Sequence, residues 1–109
     1  MSHPARTASE ILARCLRLFG PTGAHWGKGE LYQHGRYCLI GALSQAAFGE
    51  VGYSMRGNPD YATAVRYLQR STRLKNLVKF NDRASFTEVQ KAIRDALKMI
   101  RARAGMGGS

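Results

Sequence analysis

The fold is organised around residues 26–48, which read WGKGELYQHGRYCLIGALSQAAF. Glycine recurs through the first half of this stretch, and the second half is the most apolar segment of the chain. Because apolar residues occupy most of its positions, we predict a central buried helix over Arg36–Phe48. Cys38, Gly41 and Ala42 form a stripe of small residues on that helix. A second element is therefore expected to approach it closely.

The segment before this helix is too rich in glycine to be helical. Residues 22–35 hold four glycines in fourteen positions, and each glycine weakens a helix interior. We predict a structured loop anchored by Trp26, whose sequence also allows a short pair of strands. The glycine spacing matches neither of the common phosphate-binding loop motifs.

Three further helices are expected around the central one. The first begins near Thr7 or Ser9 and ends at Gly20-Pro21, and its apolar residues recur every three or four positions. The third starts at Asn58-Pro59, a good cap followed by proline at the first helical position, and extends or restarts after residue 72. The last follows Ser85-Phe86-Thr87-Glu88, a capping box.

These elements predict an all-α or mostly α fold. We expect one four-helix domain over residues 1–109 with its core at 7–103 and flexible ends at 1–6 and 104–109. A loop is expected between Gly49 and Asn58. The pair Asn81-Asp82 is expected to close a turn before the capping box.

Charge is the most informative bulk property of the chain. It has 17 Lys and Arg against 7 Asp and Glu, a net charge of +10. No apolar run is long enough to span a membrane, and residues 1–6 do not introduce a signal sequence. We therefore expect a cytoplasmic protein with an anionic partner. Cys15 and Cys38 are expected to be buried thiols, because both lie among apolar neighbours.

The second half of the chain carries most of the positive charge, in two rows that could follow a phosphate backbone. Tyr53, Tyr61 and Tyr67 lie near enough in sequence to stack on unpaired bases. We therefore predict a binding protein for nucleic acid or a complex containing it; an acidic protein surface is the alternative partner. The predicted contact residues are Arg66, Arg70, Arg73, Lys75, Lys79, Lys91, Arg94, Lys98 and Arg101.

Cys38 raises the alternative of a small hydrolase or transferase. The first turn of a helix favours a thiolate, His34 or His25 would be the base, and Asn81 or Asp82 would orient it. A small buried cysteine explains the same residue without any chemistry. The prediction is therefore a protein that is not an enzyme, with this cysteine-dependent activity as the alternative.

No metal or cofactor is expected. His25, His34 and Asp82 could be gathered at one place, but a zinc site needs at least three convergent ligands and no pair has the usual helical spacing. The scattered carboxylates likewise give no acid–base pair.

One pattern extends over most of the chain: Trp26, then Gly35-Arg36-Tyr37-Cys38-Leu39-Ile40-Gly41-Ala42-Leu43, then Asn81-Asp82. It resembles a family of short uncharacterised proteins from actinobacteria, other bacteria and phages. In that family a tryptophan precedes Gly-Arg-x-Cys-x-x-Gly-Ala, and Asn-Asp leads into the last helix.

The resemblance covers about Ile11 to Leu97 and implies no particular activity. It implies an origin in a phage or mobile element, while the heavy positive charge sets this chain apart from the family. It also implies that five residues form one structural knot or one site, namely Trp26, Arg36, Cys38, Asn81 and Asp82.

Overall fold

The computed structural model describes residues 7–50 and 58–107. Within these residues the fold is mostly helical, with five helices and one small antiparallel sheet. The elements are α1 Ala8–Phe19, β1 Tyr32–Gln33, β2 Arg36–Tyr37, α2 Leu39–Phe48, α3 Pro59–Thr72, α4 Leu77–Arg83 and α5 Phe86–Gly107.

Helix α1 follows its sequence pattern closely. The Thr7 hydroxyl accepts a hydrogen bond from the Glu10 amide, and Gly20 ends the helix with a φ of 80°. Its apolar face is buried, including Ile11, Leu12 and Cys15. The predicted amphipathic helix is confirmed, because its caps and its periodicity are both local signals.

Helix α2 is the buried centre of the fold, but it begins three residues later than predicted. Arg36 and Tyr37 belong to strand β2, and Cys38 is the N-cap, with its Sγ accepting a hydrogen bond from the Gly41 amide at 3.4 Å. The prediction of a helix from Arg36 was wrong because pairing with β1 holds these two residues in an extended conformation. The apolar run that follows indicates a helix but does not show at which residue the helix begins.

The segment predicted as one long or restarted helix is two helices. Arg73 adopts a left-handed conformation that ends α3, and the Asn76 side chain caps α4. The described residues therefore contain five helices, not four. The pair Asn81-Asp82 lies inside α4, so the predicted turn there was wrong: Asn76 caps a helix that begins before the pair.

Helix α5 starts at the predicted capping box. The Ser85 hydroxyl accepts from the Glu88 amide at 3.2 Å, and the Glu88 carboxylate accepts from the Ser85 amide at 3.1 Å. The helix continues to Gly107, beyond the predicted core boundary at residue 103. It packs against α3 and α1, while α1 also packs on α2.

The core lies between these helices and contains side chains from all five of them. None of the helices in residues 7–50 and 58–107 combines the length and apolar character needed to cross a bilayer. The predicted flexible residues 1–6, most of the predicted loop after Gly49, and Tyr53 lie outside the described residues.

Candidate functional site

The loop between α1 and α2 forms a β-hairpin. Strands β1 and β2 pair antiparallel, with Tyr32 opposite Tyr37 and Gln33 opposite Arg36. The two residues between them, His34 and Gly35, have φ angles of 52° and 76°. Positive φ at both central positions is the requirement of a type I′ turn.

A second stretch of backbone pairs with β2 from its other side. The Tyr37 amide donates to the His25 carbonyl at 2.7 Å, and the Gly27 amide donates to the Tyr37 carbonyl at 2.9 Å. The His25 ring nitrogen Nδ1 lies 3.1 Å from the Gly35 carbonyl oxygen and so donates to it. The hairpin is thus attached to the chain that follows α1.

Asn81 joins the hairpin region to helix α4. Its Oδ1 accepts from the Trp26 indole N–H at 2.7 Å and from the Leu39 amide at 3.1 Å. Its Nδ2 donates to the Gly27 carbonyl at 3.0 Å. Asn81 is 1 % exposed. Two N–H groups point at the Asn81 Oδ1 and one carbonyl oxygen lies at its Nδ2, so the orientation of the side-chain amide is fixed.

Asp82 makes the next attachment along the loop. Its Oδ1 accepts from the Gly29 amide at 3.0 Å. Because Gly27 and Gly29 are both held by α4, the backbone of Lys28 is fixed on each side.

The base of the hairpin lies directly on α2. A Cβ atom at Gly41 would come within 1.8 Å of the Leu31 carbonyl oxygen, so only glycine fits there. The predicted close approach to the stripe of small residues is therefore present, and the hairpin makes it.

Aromatic rings complete the attachment. The Trp26 ring packs against Phe86 at the start of α5, with centroids 5.8 Å apart, and Phe86 contacts Phe19 edge-on. The Lys28 ammonium lies 5.6 Å from the centroid of the Trp26 ring. Trp26 therefore anchors its loop to α4 and α5 together.

One face of the hairpin borders a polar cleft of about 250 Å³. Its cationic side chains are Lys28 and Arg36, and Glu30 is its single carboxylate. Gly27 makes room for Arg36, since a Cβ atom there would lie 3.0 Å from the Cβ of that arginine. The residues that line the cleft are Gly27, Lys28, Glu30, Gln33, His34 and Arg36.

Cys38 lies beneath the hairpin, not in the cleft. It is 5 % exposed, and burial raises the pKa of its thiol, against the effect of the hydrogen bond from the Gly41 amide. Within the described residues neither His25 nor His34 hydrogen-bonds to it, and the Asn81 amide is engaged elsewhere. Cys38, Trp26, Asn81 and Asp82 thus lie close together, and their hydrogen bonds hold the loop, α2 and α4 to one another.

The described residues hold no group of three His, Cys, Asp or Glu side chains placed to share a metal ion. His25 and His34 belong to the hairpin region, and Asp82 is engaged with the Gly29 amide.

All nine predicted basic contact residues have solvent-accessible side chains, but they lie on different flanks of the fold. The Ser71 hydroxyl donates to the Ala92 carbonyl, so that flank of α5 faces α3. Arg94 instead lines a groove with Arg17 at the end of α1. Lys75 lines a separate groove beside α2 and α4.

Two of the tyrosines predicted to stack on bases, Tyr61 and Tyr67, are not well placed for it. Tyr67 is 8 % exposed, and Tyr61 packs on Phe48 with centroids 5.6 Å apart. Tyr32, which was not predicted to stack on bases, has the most exposed side chain of the described tyrosines, at 50 %. Tyr32, Gln33 and Lys28 were not among the predicted site residues. Glycine as the second residue of a two-residue turn, at Gly35, was the sequence signal for this hairpin.

No curated protein matches the chain, and no solved structure does. A family model matches residues 3–99, nearly the whole chain, and its description is a family of unknown function, DUF6197. The match agrees with the resemblance to an uncharacterised family. The chain belongs to the DUF6197 family of unknown function.

Proposed function

We propose that this is a small, basic, non-enzymatic binding protein of the cytoplasm that engages nucleic acid or a complex containing nucleic acid. The observation that carries the proposal is that its basic side chains are exposed and mostly not paired with carboxylates. All nine predicted contact residues are accessible to solvent. Of these nine, Lys91 alone has a carboxylate of the described part of the chain within ion-pair distance, Asp95 at 2.6 Å. Cations that are not neutralised by a neighbouring carboxylate are available to phosphates.

The row on α5 is the best candidate for the contact surface. Lys91, Arg94, Lys98 and Arg101 recur at intervals of three or four residues on the exposed side of one helix. Arg17 of α1 lies across a groove from Arg94 and extends the row. Cations on two neighbouring helices can follow a backbone whose phosphates repeat at short intervals.

The cysteine-dependent alternative receives less support. A nucleophilic cysteine needs an accessible thiolate and a base within hydrogen-bonding reach. Cys38 is buried and its pKa is raised, and Asn81 is engaged in the Trp26 and backbone contacts. An acidic protein surface would meet the same cations as nucleic acid, so the experiment has to separate these two partners.

The test is a titration of labelled double-stranded and single-stranded oligonucleotides between about 50 and 200 mM salt. Binding is expected to weaken steeply with salt. The double substitution Arg94→Gln/Lys98→Gln is expected to weaken it further and to reduce the salt slope by about one for each phosphate that is no longer neutralised. Lys75→Gln/Lys79→Gln removes the same charge from predicted contact residues on another flank, and it is the matched comparison for the α5 row.

Absent or salt-insensitive binding would overturn the proposal. Equal reductions of affinity in the two double variants would contradict the choice of the α5 row as the main contact surface. Capture of partners from the native host, with and without nuclease, separates the partners: material removed by nuclease supports nucleic acid, and a partner retained after nuclease supports the acidic protein.

A phage or mobile-element origin, and a role in modulating a host machine, belong to this proposal as its narrower form. They are supported by the resemblance to the actinobacterial and phage proteins. The Gly-Arg-x-Cys-x-x-Gly-Ala segment at residues 35–42 carries that resemblance.

A further inference from the structure

The cleft beside the hairpin has the size and lining of a site for a small anionic group. Its volume of about 250 Å³ is below the roughly 300–1,000 Å³ of pockets that enclose drug-sized ligands. Its lining is polar: Lys28, Arg36, Gln33 and His34 provide donors. Such a cleft suits a group of a few heavy atoms with several acceptor oxygens.

The charges in the cleft favour an anion but are not all of one sign. Lys28 and Arg36 give two positive charges and Glu30 gives one negative charge. Within the described residues none of the three forms an ion pair. Arginine binds phosphate through two parallel hydrogen bonds, and lysine binds it as a point charge.

The fold fixes the backbone that carries the two cations, and their side chains are exposed. Lys28 lies between Gly27, whose carbonyl accepts from Asn81, and Gly29, whose amide donates to Asp82. Arg36 lies in strand β2 opposite Gln33 and beside Gly27. A fixed backbone reduces the conformational freedom that is lost when these side chains bind a ligand.

His34 provides an independent observation. It occupies the first central position of a type I′ turn with a φ of 52°, where asparagine or glycine is the usual residue. The hairpin would therefore form more easily with another residue there. The His34 side chain lines the cleft, and strained residues of this kind concentrate at binding sites.

We infer that this cleft binds a phosphate group, with Arg36 and Lys28 as its cationic ligands and with Gln33 and His34 as further hydrogen-bond donors. Glu30 repels a bare phosphate and accepts from a neighbouring hydroxyl, so the preferred ligand is a phosphate ester of a sugar. Such a group is found in a free nucleotide and at the end of a nucleic acid chain. The inference is independent of the α5 row, since none of its residues belongs to that row.

The experiment is a titration of isotope-labelled protein with inorganic phosphate and with adenosine monophosphate, followed by amide chemical shifts. The largest shifts are expected at residues 27–30 and 33–36. Arg36→Gln and Lys28→Gln are each expected to weaken binding roughly tenfold or more, as for the removal of a charge-assisted hydrogen bond. Arg83→Gln, an exposed cation of α4 outside the cleft, is the control and should leave affinity unchanged.

Glu30→Gln separates the binding of phosphate itself from the preference for a phosphate ester of a sugar. It is expected to tighten the binding of inorganic phosphate, because a like charge is removed, and to reduce the preference for adenosine monophosphate. A short oligonucleotide with and without a 5′-phosphate distinguishes a nucleic acid end from a free nucleotide. If only the phosphorylated form shifts the amide signals of the cleft residues, the ligand is a chain end. Binding of adenosine monophosphate alone indicates a free nucleotide.

Shifts spread over α5, or equal reductions of affinity in Arg36→Gln and Arg83→Gln, would overturn the inference, as would the absence of shifts with either phosphate compound. Unchanged shifts outside the substituted residue would show that each variant keeps its fold. Failure of the α5 row to bind oligonucleotides would leave these titrations unaffected, so the two proposals fail separately.

Discussion

The indole N–H of Trp26 donates to Oδ1 of Asn81 at 2.7 Å, although the two residues are 55 positions apart in the sequence. The same oxygen accepts from the first amide of α2, at Leu39. One buried side chain thus connects the glycine-rich loop, the central helix and α4. The position of the cleft depends on this connection.

Replacing Asn81 by alanine is expected to destabilise the protein by roughly 3 kcal/mol or more, since buried donors at Trp26 and Leu39 and the acceptor at Gly27 are left without their partner. The matched control is Asn76→Ala on the same helix, which removes an exposed cap and should cost about 1 kcal/mol. Urea unfolding of both variants measures the difference. If the two variants lose the same amount of stability, the hydrogen bonds of Asn81 to Trp26, Leu39 and Gly27 contribute no more than an exposed helix cap does.

Gly41→Ala tests the contact between the hairpin and α2. Helix propensity alone predicts a gain of roughly 0.5–1 kcal/mol, whereas the Leu31 carbonyl, 1.8 Å from the new Cβ, predicts a decrease in stability. We expect a decrease that exceeds that of Gly49→Ala, where the glycine has a φ of 76° but open space around it. Thermal unfolding compares the two, and a more stable Gly41→Ala protein would contradict this contact.

The thiol of Cys38 is expected to be unreactive in the folded protein. Burial raises its pKa, so little thiolate is present at neutral pH. Alkylation followed by mass spectrometry should be slower than for a model thiol and should accelerate in urea. Cys15→Ser leaves Cys38 as the single thiol for this measurement. If the folded protein were alkylated at Cys38 faster than the model thiol, the enzymatic alternative would be supported instead.

Stability is expected to fall as the pH rises above about 9. Complete burial raises the pKa of Cys15 far above its ordinary value of 9.0. At alkaline pH the unfolded chain therefore loses a proton that the folded chain keeps, and each such proton lowers the free energy of unfolding by about 1.4 kcal/mol per pH unit. Urea unfolding across this pH range measures the slope. Cys15→Ala should reduce the slope, and an unchanged slope would assign the effect to other groups.

His34→Asn is expected to stabilise the protein by about 0.5–1 kcal/mol while weakening phosphate binding. Asparagine suits the positive φ of the type I′ turn better than histidine does, but it shortens the side chain that lines the cleft. Urea unfolding and the phosphate titration test the two effects. A variant that gains stability and keeps its affinity would remove His34 from the site.

The helices were predictable because their signals are local. The Thr7 and Asn58 caps, the Ser85–Glu88 capping box and the three- and four-residue apolar periods each act within one or two turns. The sequence also allowed a short strand pair within the loop before Arg36. One strand, Tyr32–Gln33, lies there, but its partner Arg36–Tyr37 lies in the segment predicted as helix. The resemblance to an uncharacterised family was also seen in the sequence, and the family model that matches residues 3–99 agrees with it.

The sequence by itself determined the helical class, the caps and the excess of positive charge, all of which depend on neighbouring residues or on composition. Only the tertiary structure decided that Arg36 and Tyr37 form a strand, because its partners are Gln33 and Tyr32 across a turn and the His25 and Gly27 backbone. The tertiary structure also decided the role of Asn81, which lies within a helix and makes its contacts 42 to 55 residues away. Hydrogen bonds between residues so far apart produce no periodic pattern in the sequence and could not be predicted from it. These same hydrogen bonds bring Lys28 and Arg36 to one cleft.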